Sequence, residues 1–121
     1  MYTINTVQAW LDEIAEKLPP ELFNNLNGGI LLIPNYKLSE HSKNDDLFIL
    51  GEYFYDYFLG RMIYIYYGSF IQLFGRQPEY LFKEQLKKTL YHEFIHHLES
   101  LAGDRSLTKK DMENLQHYLE F

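Results

Sequence analysis

Near the N-terminus, apolar residues recur at helical spacing. Val7, Trp10, Leu11, Ile14, Ala15 and Leu18 fall on one face of an amphipathic helix. Thr6 is placed to cap its start, and Pro19-Pro20 ends it. The segment PELFNNL adds a short further turn of helix, and Asn27-Gly28-Gly29 reverses the chain. The pattern then changes period. Residues 30–33 form a short apolar run between turn residues, which predicts a buried strand. KLSEHSKNDD is polar and predicts an exposed loop. FILGEYFYDYF is rich in β-forming residues and interrupted by Gly51, which predicts a strand or a hairpin with a bulge. Met62, Tyr64 and Tyr66 then alternate with Ile63, Ile65 and Tyr67, giving the clearest strand of the chain. SFIQLFG predicts one or two turns of helix. Residues 79–101 contain no Gly or Pro and predict one long helix, with Gly103 as its stop. Thr108 caps a last helix, KKDMENLQHYLEF, that turns Met112, Leu115 and Leu119 inward. A helix, about three strands and then helices make an α+β domain. No repeat or linker divides it, so residues 1–121 are read as one domain.

Composition narrows the function. Hydrophobic residues make up 46% and aromatics 17%, enough to build a core. The net charge is −6 and no run of Lys or Arg stands out, so the sequence predicts neither nucleic acid nor an anionic membrane as partner. There are no cysteines, which excludes disulfides and thiolate metal sites and fits a reducing compartment. The first segment carries acids among its apolar residues and lacks a basic region leading into an apolar run, unlike a signal peptide. No apolar run approaches the ~20 residues that cross a membrane. The expectation is a soluble, cytoplasmic protein. Its oligomeric state is not legible.

The chemistry concentrates in TLYHEFIHHLES, residues 89–100, which hold three of the five histidines. His92-Glu93-Phe94-Ile95-His96 is an HExxH motif on the long helix. Residues four apart share a helix face, so two imidazoles at this spacing can bind one Zn²⁺ at roughly 2.0–2.1 Å each. Glu93 leans to the same side, where it can act as general base toward water activated by the metal. A catalytic zinc needs a third protein ligand and an open position. Asp104, after the chain turns at Gly103, is the preferred third ligand. Glu99 is the alternative, or it orients His96 or a bound water from behind. Glu113, His117 and Glu120 on the last helix are further candidates. His97 points about 100° away from His96 and reads as a packing or hydrogen-bonding residue. His41, Asp45 and Asp46 read as solvated loop residues, and the aromatics of 53–67 as sheet core.

The sequence resembles the small bacterial zincin-like metallopeptidases, the minimal zincins. The likeness runs through Leu18-Pro19-Pro20-Glu21, the apolar strand at 29–33, Leu50-Gly51-Glu52-Tyr53, the strand at 63–68, and Thr89-Leu90-Tyr91-His92-Glu93-Phe94-Ile95-His96-His97 with its doubled histidine. It implies a compact zincin-like α+β fold, a small sheet packed on the motif helix, and Zn²⁺ on His92 and His96 with Glu93 as general base. The implied activity is hydrolysis of a peptide or protein substrate. Many members continue as HExxHxxGxxD; here Glu99 stands at that glycine and Ala102 at that aspartate. In such sites an extended peptide pairs along a sheet edge, and the 62–67 strand is the expected edge. The alternative expectation is a zincin-fold binding or regulatory module without efficient catalysis.

Overall fold

The computed structural model describes residues 1–120. Helix α1 (Ile4–Glu16) buries Val7, Trp10 and Leu11. It starts earlier than the Thr6 cap predicted, because the Thr3 side chain accepts the Thr6 N–H at 3.2 Å and satisfies a free first-turn donor. A 3₁₀ turn (Pro20–Phe23) leads to β1 (Gly29–Ile33), β2 (Lys37–Leu38), β3 (Phe48–Ile49), β4 (Gly51–Asp56) and β5 (Gly60–Tyr66). Helices α2 (Tyr67–Phe74), α3 (Glu79–Gly103) and α4 (Lys109–Gln116) follow, and a 3₁₀ turn (His117–Leu119) closes the described chain. The fold is α+β, with a three-stranded sheet packed on helices.

The sheet order is β1-β5-β4, and β2, at the start of the stretch expected to be loop, pairs with β3, at the start of the segment expected to be strand, in a separate ribbon. β5 runs parallel to β1 and antiparallel to β4, with Ile63 opposite both Ile30 and Tyr53. The 62–67 strand is therefore central, which corrects the expectation of an edge. Met62, Ile63, Ile65 and Tyr66 are all buried, so both faces of this strand are covered. The edge beside the motif helix is β4. β1 is only half-buried, with Leu31 40% exposed, because it forms the opposite edge.

Ile63 and Ile65 share one core with Val7, Leu11, Phe70 and a stripe along α3. The stripe is Phe82, Leu86, Leu90, Phe94 and Leu98, each 0% exposed and four residues from the next. Each such side chain contributes about 1.5–3 kcal/mol by leaving water. Tyr2, Trp10 and Phe82 meet edge to face at 4.9–5.6 Å between ring centroids and pin the start of α3 to α1. This packing fixes the helix that carries the motif.

Two turns shape the site's surroundings. Asp56 Oδ1 accepts the N–H groups of Phe58 and Leu59 at 2.8 Å each, and Gly60 follows at φ +83°. This is a three-residue hairpin loop ending in a left-handed glycine. At the other end, α3 runs through Gly103 rather than stopping before it. The reversal falls at Arg105, φ +66°, where Ser106 N–H reaches the Leu101 carbonyl at 2.9 Å. The Thr108 cap forms as predicted, accepting from Asp111 N–H at 3.1 Å. Leu119 is buried, with Met112 and Leu115 packed partly against the core. Among the described residues, no helix is long and apolar enough to cross a membrane.

Candidate functional site

α3 lies across β4, and the two elements form the walls of a cleft of about 740 Å³. Gly51, Glu52, Tyr53 and Tyr55 line it from β4; His92, Glu93, His96, Glu99 and Ser100 line it from α3. A second groove continues beyond it, between residues 48–51 and Gln85, Lys88 and Thr89. Gly51, His92 and Glu93 belong to both, so Glu93 stands where the two meet.

The close approach depends on Gly51. A Cβ there would lie 2.9 Å from Thr89 Cγ2 and 3.2 Å from both Cγ and Oε2 of Glu93. The break that Gly51 makes in the strand pattern is thus the place where α3 presses on the edge.

The helical spacing brings the two motif histidines together. Their Nε2 atoms face each other at 3.1 Å, with ring planes at 88°. Both side chains are exposed to the cleft. Glu99 Oε1 lies 3.3 Å from His96 Nδ1. A proton held there on Nδ1 leaves the Nε2 lone pair free, the outer partner that a ligating imidazole takes. Glu93 is 5% exposed. Burial pushes its carboxyl up to about 7; the Glu52 carboxylate adds to the rise and His96 opposes it.

The other candidates lie elsewhere. Asp104 Oδ1 accepts the Ser106 N–H at 2.9 Å, and Asp104 Oδ2 accepts from Arg61 Nη2. Among the described residues, no three His, Cys, Asp or Glu side chains are arranged to hold a metal ion together. Asp104, the expected third ligand, is engaged by Arg61 and Ser106 in this structure and is not grouped with the two histidines. α3 runs two residues past its expected end at 101, through Gly103, and Arg61, only 7% exposed, takes the carboxylate. Glu113, His117 and Glu120 are exposed on and after α4, with His117 Nδ1 facing the Asn114 carbonyl at 2.6 Å. His41 is exposed, 3.7 Å from Glu40.

His97 is the packing and hydrogen-bonding residue its helix position predicts, but its partners and the rest of the network beneath the cleft were not anticipated. His97 is fully buried. Its Nε2 lies 2.8 Å from the Asn24 carbonyl, which only accepts, so Nε2 carries the proton; Nδ1 then accepts from Tyr53 Oη at 2.8 Å. Burial lowers the His97 pKa and keeps the ring neutral. Arg61 donates from Nε to Ser100 Oγ at 3.1 Å, and its guanidinium lies 4.2 Å from the Tyr55 ring centroid. On the other face of β4, Glu52 Oε1 accepts from Lys37 Nζ at 2.5 Å and Tyr66 Oη at 2.7 Å. The only sequence signals for this network were the doubled histidine and the Gly-x-Tyr spacing in β4.

The donor chemistry suits a divalent metal in part. Two imidazole nitrogens on one tetrahedral zinc, at roughly 2.0–2.1 Å each, lie about 3.3 Å apart. The observed 3.1 Å between the Nε2 atoms is close to that. The pair fits; among the described residues a third protein donor is not in place with it.

Fold and cleft together define an α+β domain with a paired-histidine helix laid against a free sheet edge. No family model and no curated protein matches the chain. Among solved structures it is similar to a conserved hypothetical protein from Thermus thermophilus, with 30% sequence identity and a TM-score of 0.72. The match covers 84% of this chain and 99% of that one. The chain belongs to the same family as that protein.

Proposed function

We propose that the protein is a zinc-dependent hydrolase of the minimal zincin kind, acting on peptide bonds in a cytoplasmic peptide or protein substrate. The observation that carries this reading is the pair of facing Nε2 atoms, 3.1 Å apart, beside the buried carboxylate of Glu93. His92 and His96 would hold the ion. Bound there, zinc supplies Lewis acidity and acidifies water. Glu99 fixes the proton on His96 Nδ1 and so keeps Nε2 available. Glu93 receives a proton at its carboxylate as water attacks the carbonyl, and returns it to the departing amine. Its position where the two grooves meet lets it reach a bond held in either direction along β4. The N–H and C=O groups on the open side of β4 are available to pair with an extended peptide.

A second reading has a specific support: no third protein donor stands with the histidines among the described residues. On that reading the chain keeps the fold and binds a partner without turnover.

One experiment separates them. Protein purified without chelators or a His tag is assayed for metal, and a peptide library is then offered to the zinc-loaded wild type and Glu93→Gln. Near-stoichiometric zinc with turnover lost in Glu93→Gln supports the hydrolase. Failure to take up supplied zinc ends it.

A further inference from the structure

The chain's most exposed apolar cluster lies at the end of the cleft. Tyr55, Tyr57, Phe58 and Leu59 are 59%, 88%, 90% and 66% exposed, four large side chains within five consecutive residues. Apolar surface gathered in this way marks an interaction site more often than scattered exposed residues do. We propose that the turn at 57–59, with Tyr55, recognises an aromatic or branched aliphatic residue about four to six positions N-terminal to the bond that is cut. The proposal rests on the peptidase reading above.

Three observations carry it. The cluster is continuous with the cleft, because Tyr55 lines the cleft wall and starts the cluster. The turn is also built rather than loose. Asp56 Oδ1 holds the N–H groups of Phe58 and Leu59, Tyr57 and Phe58 meet edge to face at 5.3 Å, and Tyr55 lies on the buried guanidinium of Arg61. The cost of ordering the backbone of this turn therefore falls on folding rather than on binding. Finally, β4 leads straight to the turn. It pairs with β5 on one side, and its other edge runs from Gly51, beside Glu93, to Asp56.

Direction and spacing follow from strand geometry. Antiparallel pairing is the more stable arrangement, so a peptide added to β4 places its N-terminal side toward Asp56. Strand residues rise about 3.4 Å each, so the turn lies roughly 15–20 Å from the level of Glu93, about four to six residues away. The occupant is thus the upstream part of the same extended peptide. Short peptides that end before the turn gain nothing from it.

The test uses decapeptide libraries randomised at the central residues, with Phe or Ser fixed five positions N-terminal to the centre. A mirrored pair carries Phe or Ser five positions C-terminal. Cleavage is measured with the zinc-loaded full chain and with a Tyr57→Ser/Phe58→Ser variant. Binding is measured separately by fluorescence anisotropy on Glu93→Gln, where no turnover is needed. N-terminal Phe is expected to lower KM about tenfold with kcat little changed, and to tighten binding by a similar factor. Both gains are expected to vanish in the double variant. Binding that prefers N-terminal Phe without any turnover keeps the surface and overturns the peptidase reading. Turnover indifferent to Phe overturns the surface and keeps the peptidase. Equal binding of all libraries, or a gain only from C-terminal Phe, also overturns the surface.

Discussion

The hydroxyl of Tyr53, on the edge strand, donates to Nδ1 of His97, on the motif helix, at 2.8 Å. The opposite nitrogen of His97 donates to the Asn24 carbonyl at 2.8 Å. One neutral, fully buried ring therefore ties β4, α3 and the loop after the first 3₁₀ turn together, one residue along from His96. His97→Leu keeps most of the volume and strands both partners. Leaving buried polar groups unpaired costs about 1–3 kcal/mol each, so a loss of about 2–4 kcal/mol is expected from urea unfolding. Tyr53→Phe removes the hydroxyl donated to His97 and is expected to cost about 1 kcal/mol. A His97→Leu protein as stable as wild type would show that the ring only fills space.

Gly51 sets the width of the cleft. In Gly51→Ala the new methyl meets Thr89 Cγ2 and the Glu93 side chain inside normal contact distance. Relief requires β4 to move off α3 or Glu93 to leave its position. Overpacking of this kind costs about 1–3 kcal/mol. Any peptide turnover is expected to fall by more than the stability loss explains, because the displaced group is the proposed base. Thermal unfolding and kcat/KM on the same preparations check this. Full activity with reduced stability would separate Gly51 from the site.

The elements that were legible in the sequence are those whose pattern is local. α3 announces itself by a long stretch without Gly or Pro and by apolar residues four apart. The motif spacing places His92, Glu93 and His96 on one helix side, and the structure brings the two Nε2 atoms face to face. The order of the strands was not legible. Nothing in Met62–Tyr66 alternation says which neighbours it pairs with, and only the pairing with β1 on one side and β4 on the other makes β5 central. The surroundings of Asp104 were not legible for a similar reason. Its partner, Arg61, lies 43 residues away in sequence and meets it only because β5 starts beside the end of α3. Glu99 fared better, since its contact with His96 is a three-residue helical step.

The Arg61–Asp104 pair predicts an acid-sensitive contribution to stability. Ser106 and Arg61 hold the Asp104 carboxyl down from its ordinary 3.8 to about 2. The folded pKa is the lower one, so the unfolded chain binds the proton first as pH falls. The contribution is present in full above about pH 4 and is lost as pH drops through about 2. Asp104→Asn is expected to be less stable than wild type at pH 6, with the gap closing between pH 4 and pH 2. Urea midpoints at pH 6, 4 and 3 check the trend. A gap that stays constant with pH would assign the loss to packing around Arg61 rather than to charge.

Glu99 and Asp104 make opposite predictions for metal affinity. Glu99 Oε1 faces His96 Nδ1, while the Asp104 carboxylate is committed to Arg61 and Ser106. Mutating the outer partner of a ligating histidine typically costs about 10- to 100-fold in metal affinity, and the amide of Glu99→Gln can still accept from Nδ1 but lacks the charge that raises the imidazole's basicity. Glu99→Gln is therefore expected to weaken zinc by that factor, read by competition with a chromogenic chelator. Asp104→Asn is expected to change zinc affinity little while lowering stability at neutral pH. His96→Ala should abolish binding and serves as the lower bound. The reverse result, with Asp104→Asn losing zinc and Glu99→Gln keeping it, would mean that Asp104 leaves Arg61 when metal arrives. Arg61→Gln would then be expected to raise affinity, because it frees the carboxylate. If Glu99→Gln and Asp104→Asn both bind as wild type does, the two histidines hold the ion without either carboxylate.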